Sequence, residues 1–306
     1  MSEVPTKHKS KIERNTGEKV LQVIIYLIVI LLCLIIILPC LNVLVLSLND
    51  GKDAAQGGIW FWPRKFTLDN FKEVFKDGTV KNAYVISIAR TVIGTFLSLM
   101  ITTLAGFALK EKGLPGNKIL MILITFTMLF DGGLIPTYIQ YKNLNLLNSF
   151  WVYVVPTLVS VTYLLMIRTF FEGIPISLEE SAKLEGCGYF QIYARIMLPL
   201  SKPVIAVVGL YTAVNHWNDW FVGSFYMSDS KMWPVQTVLQ QMLTKAMSQQ
   251  QEVTSVAQAL AKGATSTTTD SLKMAAVIVT TIPILCVYPF VQKYFTKGAM
   301  LGAVKE

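Results

Sequence analysis

Residues Val20 to Leu48 form a run of 29 positions without a single charged side chain. No other feature restricts the fold as much. About 20 apolar residues suffice to span a bilayer as a helix, so this run is long enough to cross with some tilt. A secretory signal would have a core of about 7–15 apolar residues and then a small-residue cleavage site. The run is too long for that and has no such site, so it reads as a retained span, with a kink expected at Pro39.

Five further apolar segments follow, at about 83–109, 119–139, 150–171, 204–225 and 272–290. Lipid offers backbone N–H and C=O groups no partner, so spans must be helices or closed barrels. Their length and lack of two-residue alternation select helices. The expected fold class is therefore an all-α polytopic membrane protein. It would have a tail at 1–19, one six-helix domain at 20–295 and a tail at 296–306.

Composition agrees: 53% of the chain is hydrophobic and only 15% charged, against about 25% charged in soluble domains. The net charge of +8 does not point to nucleic acid. Its basic residues cluster at the ends of spans, which is how topology is written into membrane proteins. Lys7, Lys9, Lys11, Arg14 and Lys19 precede the first span. Lys110, Lys112 and Lys118 lie between the second and third, and Lys183, Arg195 and Lys202 between the fourth and fifth. Lys293, Lys297 and Lys305 follow the last. These segments are expected to face the cytoplasm, with both termini there and the protein in a bacterial plasma membrane. The segment 49–82 runs against the rule, with six Lys and Arg of its own. Its WFWP at 60–63 reads as an aromatic interfacial anchor, and the polar stretch 246–270 as an outward extension too short to be a domain.

Several chemistries are absent. GLPGNK at 113–118 lacks the spacing of a phosphate-binding loop, so the chain does not hydrolyse nucleotide and is not expected to be an enzyme. No His/Cys cluster has metal spacing. The cysteines are Cys33, Cys40, Cys187 and Cys286, and only Cys187 lies outside an apolar run.

The loop 172–203 is much longer than a plain connection requires. Ser177, three residues before Glu180, predicts a capping box and a short helix from Leu178. Glu179 and Lys183 are spaced to pair on its surface. Gly186 and Gly188 stop it. A second helix is expected over Tyr189–Leu198, with a polar stripe of Gln191 and Arg195. Pro199 ends that helix and Pro203 starts the next span. The simple alternative is an amphipathic connector that braces the inner face of the bundle.

The run from Glu180 to Pro199, ESAKLEGCGYFQIYARIMLP, resembles the EAA motif of ABC-importer permeases. Glu180, Ala182, Glu185, Gly186, Ile196, Leu198 and Pro199 match it, while Ser181 and Cys187 stand where alanines are usual. FDGGLIPTY at 130–138, residues 202–221 and residues 289–305 are similar to carbohydrate permeases of the MalG-like group, in its LplC/YtcP branch. The resemblance implies a membrane subunit of an importer for oligosaccharides or polysaccharide fragments. It implies pairing with a second permease, a cytoplasmic ATPase dimer and an extracellular solute-binding protein. It also implies that ATP and Mg are bound by the ATPase and no cofactor by this chain. Residues 177–200, including Lys183, would form the coupling loop, and Glu180 would meet a basic residue of the ATPase. The tail near Gly302 is a second candidate contact.

For the translocation path, YTAVNHWNDWF at 211–221 is the most polar part of any span. Tyr211, Asn215, Trp217, Asn218, Asp219 and Trp220 are the candidate lining residues, with the tryptophans placed to stack on sugar rings. An interfacial belt is the alternative. His216 reads as a hydrogen-bonded interior residue and Arg90 as one that snorkels to the outer surface. The break at Asp131, Gly132 and Gly133, with Pro136 after it, reads first as close helix packing and second as a broken helix bordering the transport site. An ion-coupled secondary carrier and a membrane enzyme are the competing function classes. Mid-span ionisable groups are few, and no nucleophile, base and ligand set appears.

Overall fold

The computed structural model describes residues 16–76, 78–111, 113–252 and 269–303. The expectations for the N-terminal basic tail, for Lys112, for most of the polar stretch 246–270 and for Lys305 lie outside these residues. The chain is helical, and the described residues contain no strand beyond an isolated bridge between Asn49 and Phe66. The helices are α1 (Thr16–Ser47), α2 (Gly51–Ala54), α3 (Asp69–Lys76), α4 (Thr79–Lys110), α5 (Asn117–Leu129), α6 (Leu134–Asn143) and α7 (Val161–Glu172). Then come α8 (Ile176–Leu184), α9 (Tyr189–Leu200), α10 (Lys202–Asn218), α11 (Phe221–Tyr226), α12 (Val235–Glu252) and α13 (Thr269–Ala303).

Two described helices are long and apolar enough to cross a bilayer alone, Gly17–Ser47 and Thr79–Lys110, and up to five cross if each bent pair counts as one. The first span continues through Pro39 as one helix. The third, fourth and fifth expected spans are not single helices. The third breaks between α5 and α6 with a bend of 119°. Gly133 there adopts φ +84, and a Cβ on it would meet nothing within 4 Å. Gly133 therefore turns the chain and has no described helix packed against it, so the packing reading is corrected and the broken helix is what forms. The fourth begins as two 3-10 turns, Phe150–Tyr153 and Val155–Thr157, and bends by 46° into α7. The fifth stops at Asn218 and resumes as the short α11.

α4 is the centre of the bundle. It packs on α10 along one side and on α7 along another, while α13 covers α10 and α1 lies outermost against α13. The buried side of α4 reads Ala83, Ser87, Arg90, Gly94, Ser98, Thr102 and Gly106. Apart from Arg90 this is a small-residue seam at helical spacing, which lets backbones approach where lipid supplies no hydrophobic drive. A Cβ at Gly94 would overlap the His216 ring at Nε2, and one at Gly106 would lie 3.0 Å from Ile167 Cγ2. Gly94→Ala should force the His216 ring out of place at a cost of about 1–3 kcal/mol. Thermal unfolding in nanodiscs checks this, and a wild-type transition would show the seam to be slack.

The two ends of the bundle are distinct. At one end Asn70 donates to Ser47 O and Asn49 O, at 2.9 and 2.8 Å, and accepts from Ser271 Oγ at 3.0 Å. Asn82 bonds Lys231 O there, and Ser228 N donates to Asn148 Oδ1 at 2.6 Å. Residues 47–82, 144–149 and 226–235 thus gather on one side. α12 folds back there, burying Val235 and Val238 against α3, α4 and α13. The loops 110–118 and 172–203 share the opposite end, where Lys110 pairs with Glu179.

Candidate coupling elbow and translocation cavity

α8 starts earlier than its sequence suggests. Its N-cap is Pro175, so Ser177 sits inside the first turn and makes no cap. The proline holds its own φ at −55, ready for helix entry, and needs no N–H partner. The frame is set further by Glu179, which is buried and paired with Lys110 at the end of α4. The expected surface pair of Glu179 with Lys183 is therefore not formed, and Lys183 Nζ lies 5.2 Å over the Tyr189 ring.

The end of α8 follows the expectation closely. Gly186 has φ +83. Its N–H donates to Lys183 O at 3.0 Å, and the Cys187 N–H donates to Ala182 O at 2.9 Å. This is a Schellman closure, whose left-handed position favours glycine. Gly188 has an ordinary φ of −75; its N–H donates to Gln191 Oε1 at 3.1 Å and its carbonyl accepts from the Ile192 N–H at 3.1 Å.

α9 then turns under the bundle and reaches Leu200, past Pro199, with a π turn over Tyr193–Met197. Ile192, Tyr193 and Met197 are buried, and Tyr193 shares a hydrogen bond of 2.8 Å with Thr103 of α4. Ala182, Ile192 and Met197 join Ile167, Phe171, Val204 and Val208 in one core, so the elbow is fixed to α7 and α10. Cys187 is half-buried against this core and Ile196 packs there too, while Leu198 is half-buried and Pro199 exposed. Left exposed are Ile176, Ser177 and Leu178 at the start of α8, Glu180, Ser181, Lys183 and Leu184 further along it, and Glu185 at its C-cap, with Leu184 91% exposed. Phe190 and Tyr189 continue this surface at 72% and 64% exposed. Sequence reasoning missed Lys110 and Leu184; a basic residue at the end of the neighbouring span was the available signal for Lys110.

Arg90 does not snorkel. It is 1% exposed, and its Nη2 lies 2.6 Å from Asp219 Oδ2. Nη1 donates to Asp219 O at 3.1 Å, and the guanidinium stacks 4.5 Å from the Tyr153 ring centre. With a carboxylate supplied from inside the bundle, the guanidinium has no need to reach water. Asp219 Oδ1 also accepts from Phe221 N and Val222 N, at 2.9 and 3.2 Å, which caps α11. One carboxylate thus fixes the break in the fifth span and ties it to α4.

Beside this pair lies a cavity of about 310 Å3. Arg90 and Ser98 come from α4, Ser160 and Tyr163 from the bend into α7, and Asn215 and His216 from α10. Only Val159 and Val222 of its lining are apolar. Asn215 donates to the Tyr163 hydroxyl at 3.0 Å, and Tyr211 stacks on Tyr163 at 6.2 Å. Of the six path candidates, the cavity therefore collects Asn215 and Asp219, with Tyr211 behind Tyr163. Asn218 and Trp220 are exposed away from its lining. Trp217 faces the other way: it is 8% exposed, touches Tyr84 and donates to Thr280 O at 3.2 Å, so it packs α13 rather than a sugar. His216 is interior, as expected, though it makes no hydrogen bond within the described residues. The small polar residues of the α4 seam, and Ser160, were not singled out from sequence because hydroxyls in apolar runs carry little signal alone.

Comparison with known proteins gives this geometry a context. The family model described as "Binding-protein-dependent transport system inner membrane component" matches residues 87–300. The chain is 40% identical over 243 residues to the Bacillus subtilis (strain 168) polygalacturonan/rhamnogalacturonan transport system permease protein YtcP, covering 79% of this chain and 83% of the relative. It is 39% identical over 253 residues to protein LplC of the same organism, covering 83% and 84%. A solved chain from a bacterial ABC transporter involved in the import of the acidic polysaccharide alginate shares the fold. Its TM-score is 0.84 at 24% identity, over 92% of this chain and 99% of that one. The chain belongs to the family of binding-protein-dependent transport inner membrane components.

Proposed function

We propose that this chain is the permease subunit of an ATP-driven importer of oligosaccharides or polysaccharide fragments. In this reading the chain crosses the membrane six times, with its termini and the α8–α9 elbow in the cytoplasm. A second permease completes the path, an extracellular binding protein delivers the sugar, and a separate ATPase dimer binds ATP and Mg and supplies the work. The relatives named for polygalacturonan, rhamnogalacturonan and alginate support carbohydrate as the cargo class.

The observation that carries the reading is the elbow. Its inner side is locked to α4, α7 and α10, while its outer side presents Leu184 between the carboxylates Glu180 and Glu185. A surface that is rigidly joined to three helices and left apolar at its tip is suited to take a push from a docked partner. The two ends of the bundle then alternate in access as rigid bodies, each state favoured by different ligands.

The test uses Ser181→Cys, because Cys187 is half covered. In a chain otherwise free of cysteine, Ser181→Cys should crosslink to a cysteine in the groove of the co-expressed ATPase. It should also resist a membrane-impermeant thiol reagent added to intact cells. Rapid labelling from outside, with no crosslink formed, would put the elbow on the wrong side and end the proposal.

A further inference from the structure

We propose that the cavity between α4, α7 and α10 is a subsite for one pyranose ring of the transported chain, held by its hydroxyl edge. This rests on the importer reading above and adds the place where this subunit touches sugar.

Three side chains more than nine-tenths buried line the cavity without a full set of partners. Arg90 is 1% exposed and its Nε has no partner among the described residues. Ser98 is 2% and His216 4% exposed, and neither side chain makes a hydrogen bond within the described residues. The Ser160 hydroxyl is likewise unbonded there. Buried polar groups in a protein interior are almost always paired, and a cluster of unmet ones on one cavity marks where something polar binds. Inside a membrane bundle, polar residues facing a cavity mark a substrate path rather than a packing choice.

The chemistry of the ligand follows from what is unmet. The free groups mix donors and acceptors, which suits hydroxyls, since each hydroxyl both gives and takes. Arg90 and Asp219 are the formally charged lining residues, and they neutralise each other. The lining therefore reads hydroxyl groups and does not select for a charged sugar. Tyr163 adds an aromatic wall whose ring is held by Tyr211 and whose hydroxyl is oriented by Asn215. At about 310 Å3 the space is at the small end of the roughly 300–1,000 Å3 of ligand pockets. It accommodates one ring, with the rest of the chain passing outside.

The experiment uses the full complex in proteoliposomes, with its ATPase and saturating binding protein. The probes are labelled maltotriose, arabinotriose and trigalacturonate. Asn215→Ala removes the group that orients Tyr163, and Ser160→Trp fills the space. Losing one hydrogen-bonding group of the lining should slow uptake of the transported probe about tenfold. The Ser181→Cys crosslink to the ATPase should form at wild-type yield in both variants, which shows that assembly is intact. In the cysteine-free chain, Ser160→Cys should react with a maleimide, and the transported probe should slow that reaction. Should Ser160→Trp fail to assemble, Asn215→Ala and the protection measurement decide. Unaltered uptake in Asn215→Ala together with no protection at position 160 overturns the subsite and leaves the importer standing. A wild-type complex that takes up none of the probes removes the carbohydrate reading, and the subsite with it.

Discussion

Arg90→Leu should lower the stability of the bundle by about 3–5 kcal/mol, the usual cost of removing one partner of a buried ion pair. The guanidinium is 1% exposed, and the Asp219 side chain 25%, so water reaches only one side of the pair. Some relief by that water places the expected loss near the lower figure. Leucine fills much of the volume, so the loss reports the charge left on Asp219 rather than a void. Two dependent features should loosen with it. The cap on α11 rests on the same carboxylate, and Tyr153, fully buried, loses the cation on its ring. The measurement is a double-mutant cycle with Asp219→Asn, read by thermal unfolding in nanodiscs. Both single variants leave one charge unpaired, whereas the double leaves none. The double variant should therefore be at least about 1 kcal/mol more stable than the summed singles allow, since contacting residues couple by about 0.5–3 kcal/mol. Simple additivity would show that the pair contributes nothing beyond its separate contacts.

The sequence showed where apolar helices run but not where they break. α1 runs on through Pro39 to Ser47 and the 83–109 segment is continuous, since neither holds an acceptor side chain that closes a turn in place of the helical ladder. The third segment breaks because Gly133 takes a left-handed conformation and Asp131 Oδ1 accepts from the Gly133 N–H, closing a local turn. The fifth breaks because Asp219 is held from a distance by Arg90. That contact spans 129 residues of sequence and has no local trace. The same distinction divides the elbow. Gly186 was legible, since a Schellman closure is a local motif. The frame of α8 was not, because it is set by Lys110 and Glu179, 69 residues apart. At the cavity, the amide-rich end of α10 was visible as a polar cluster. Which of its residues face inward depended on α13, which claims Trp217.

Adjacent glutamates on α8 should behave in opposite ways. Glu179→Ala leaves Lys110 buried without its carboxylate, and α8 loses its tie to α4. Both side chains are at least nine-tenths covered, at 6% and 10% exposed. The loss should be about 3–5 kcal/mol of elbow stability. It should appear as reduced recovery of assembled complex and as faster hydrogen exchange across residues 176–200. Glu180→Ala removes an exposed side chain with no ion pair within the described residues, and surface changes of this kind shift stability by about 0.5 kcal/mol or less. Its fold, recovery and exchange should match wild type. If α8 is where the ATPase pushes, however, Glu180→Ala should still cut ATP-driven uptake severalfold, through loss of a charge-assisted contact. The pair thus separates building the elbow from using it. Equal destabilisation by both would mean the exposed face of α8 is structural. Full uptake with Glu180→Ala would remove this carboxylate from the coupling contact.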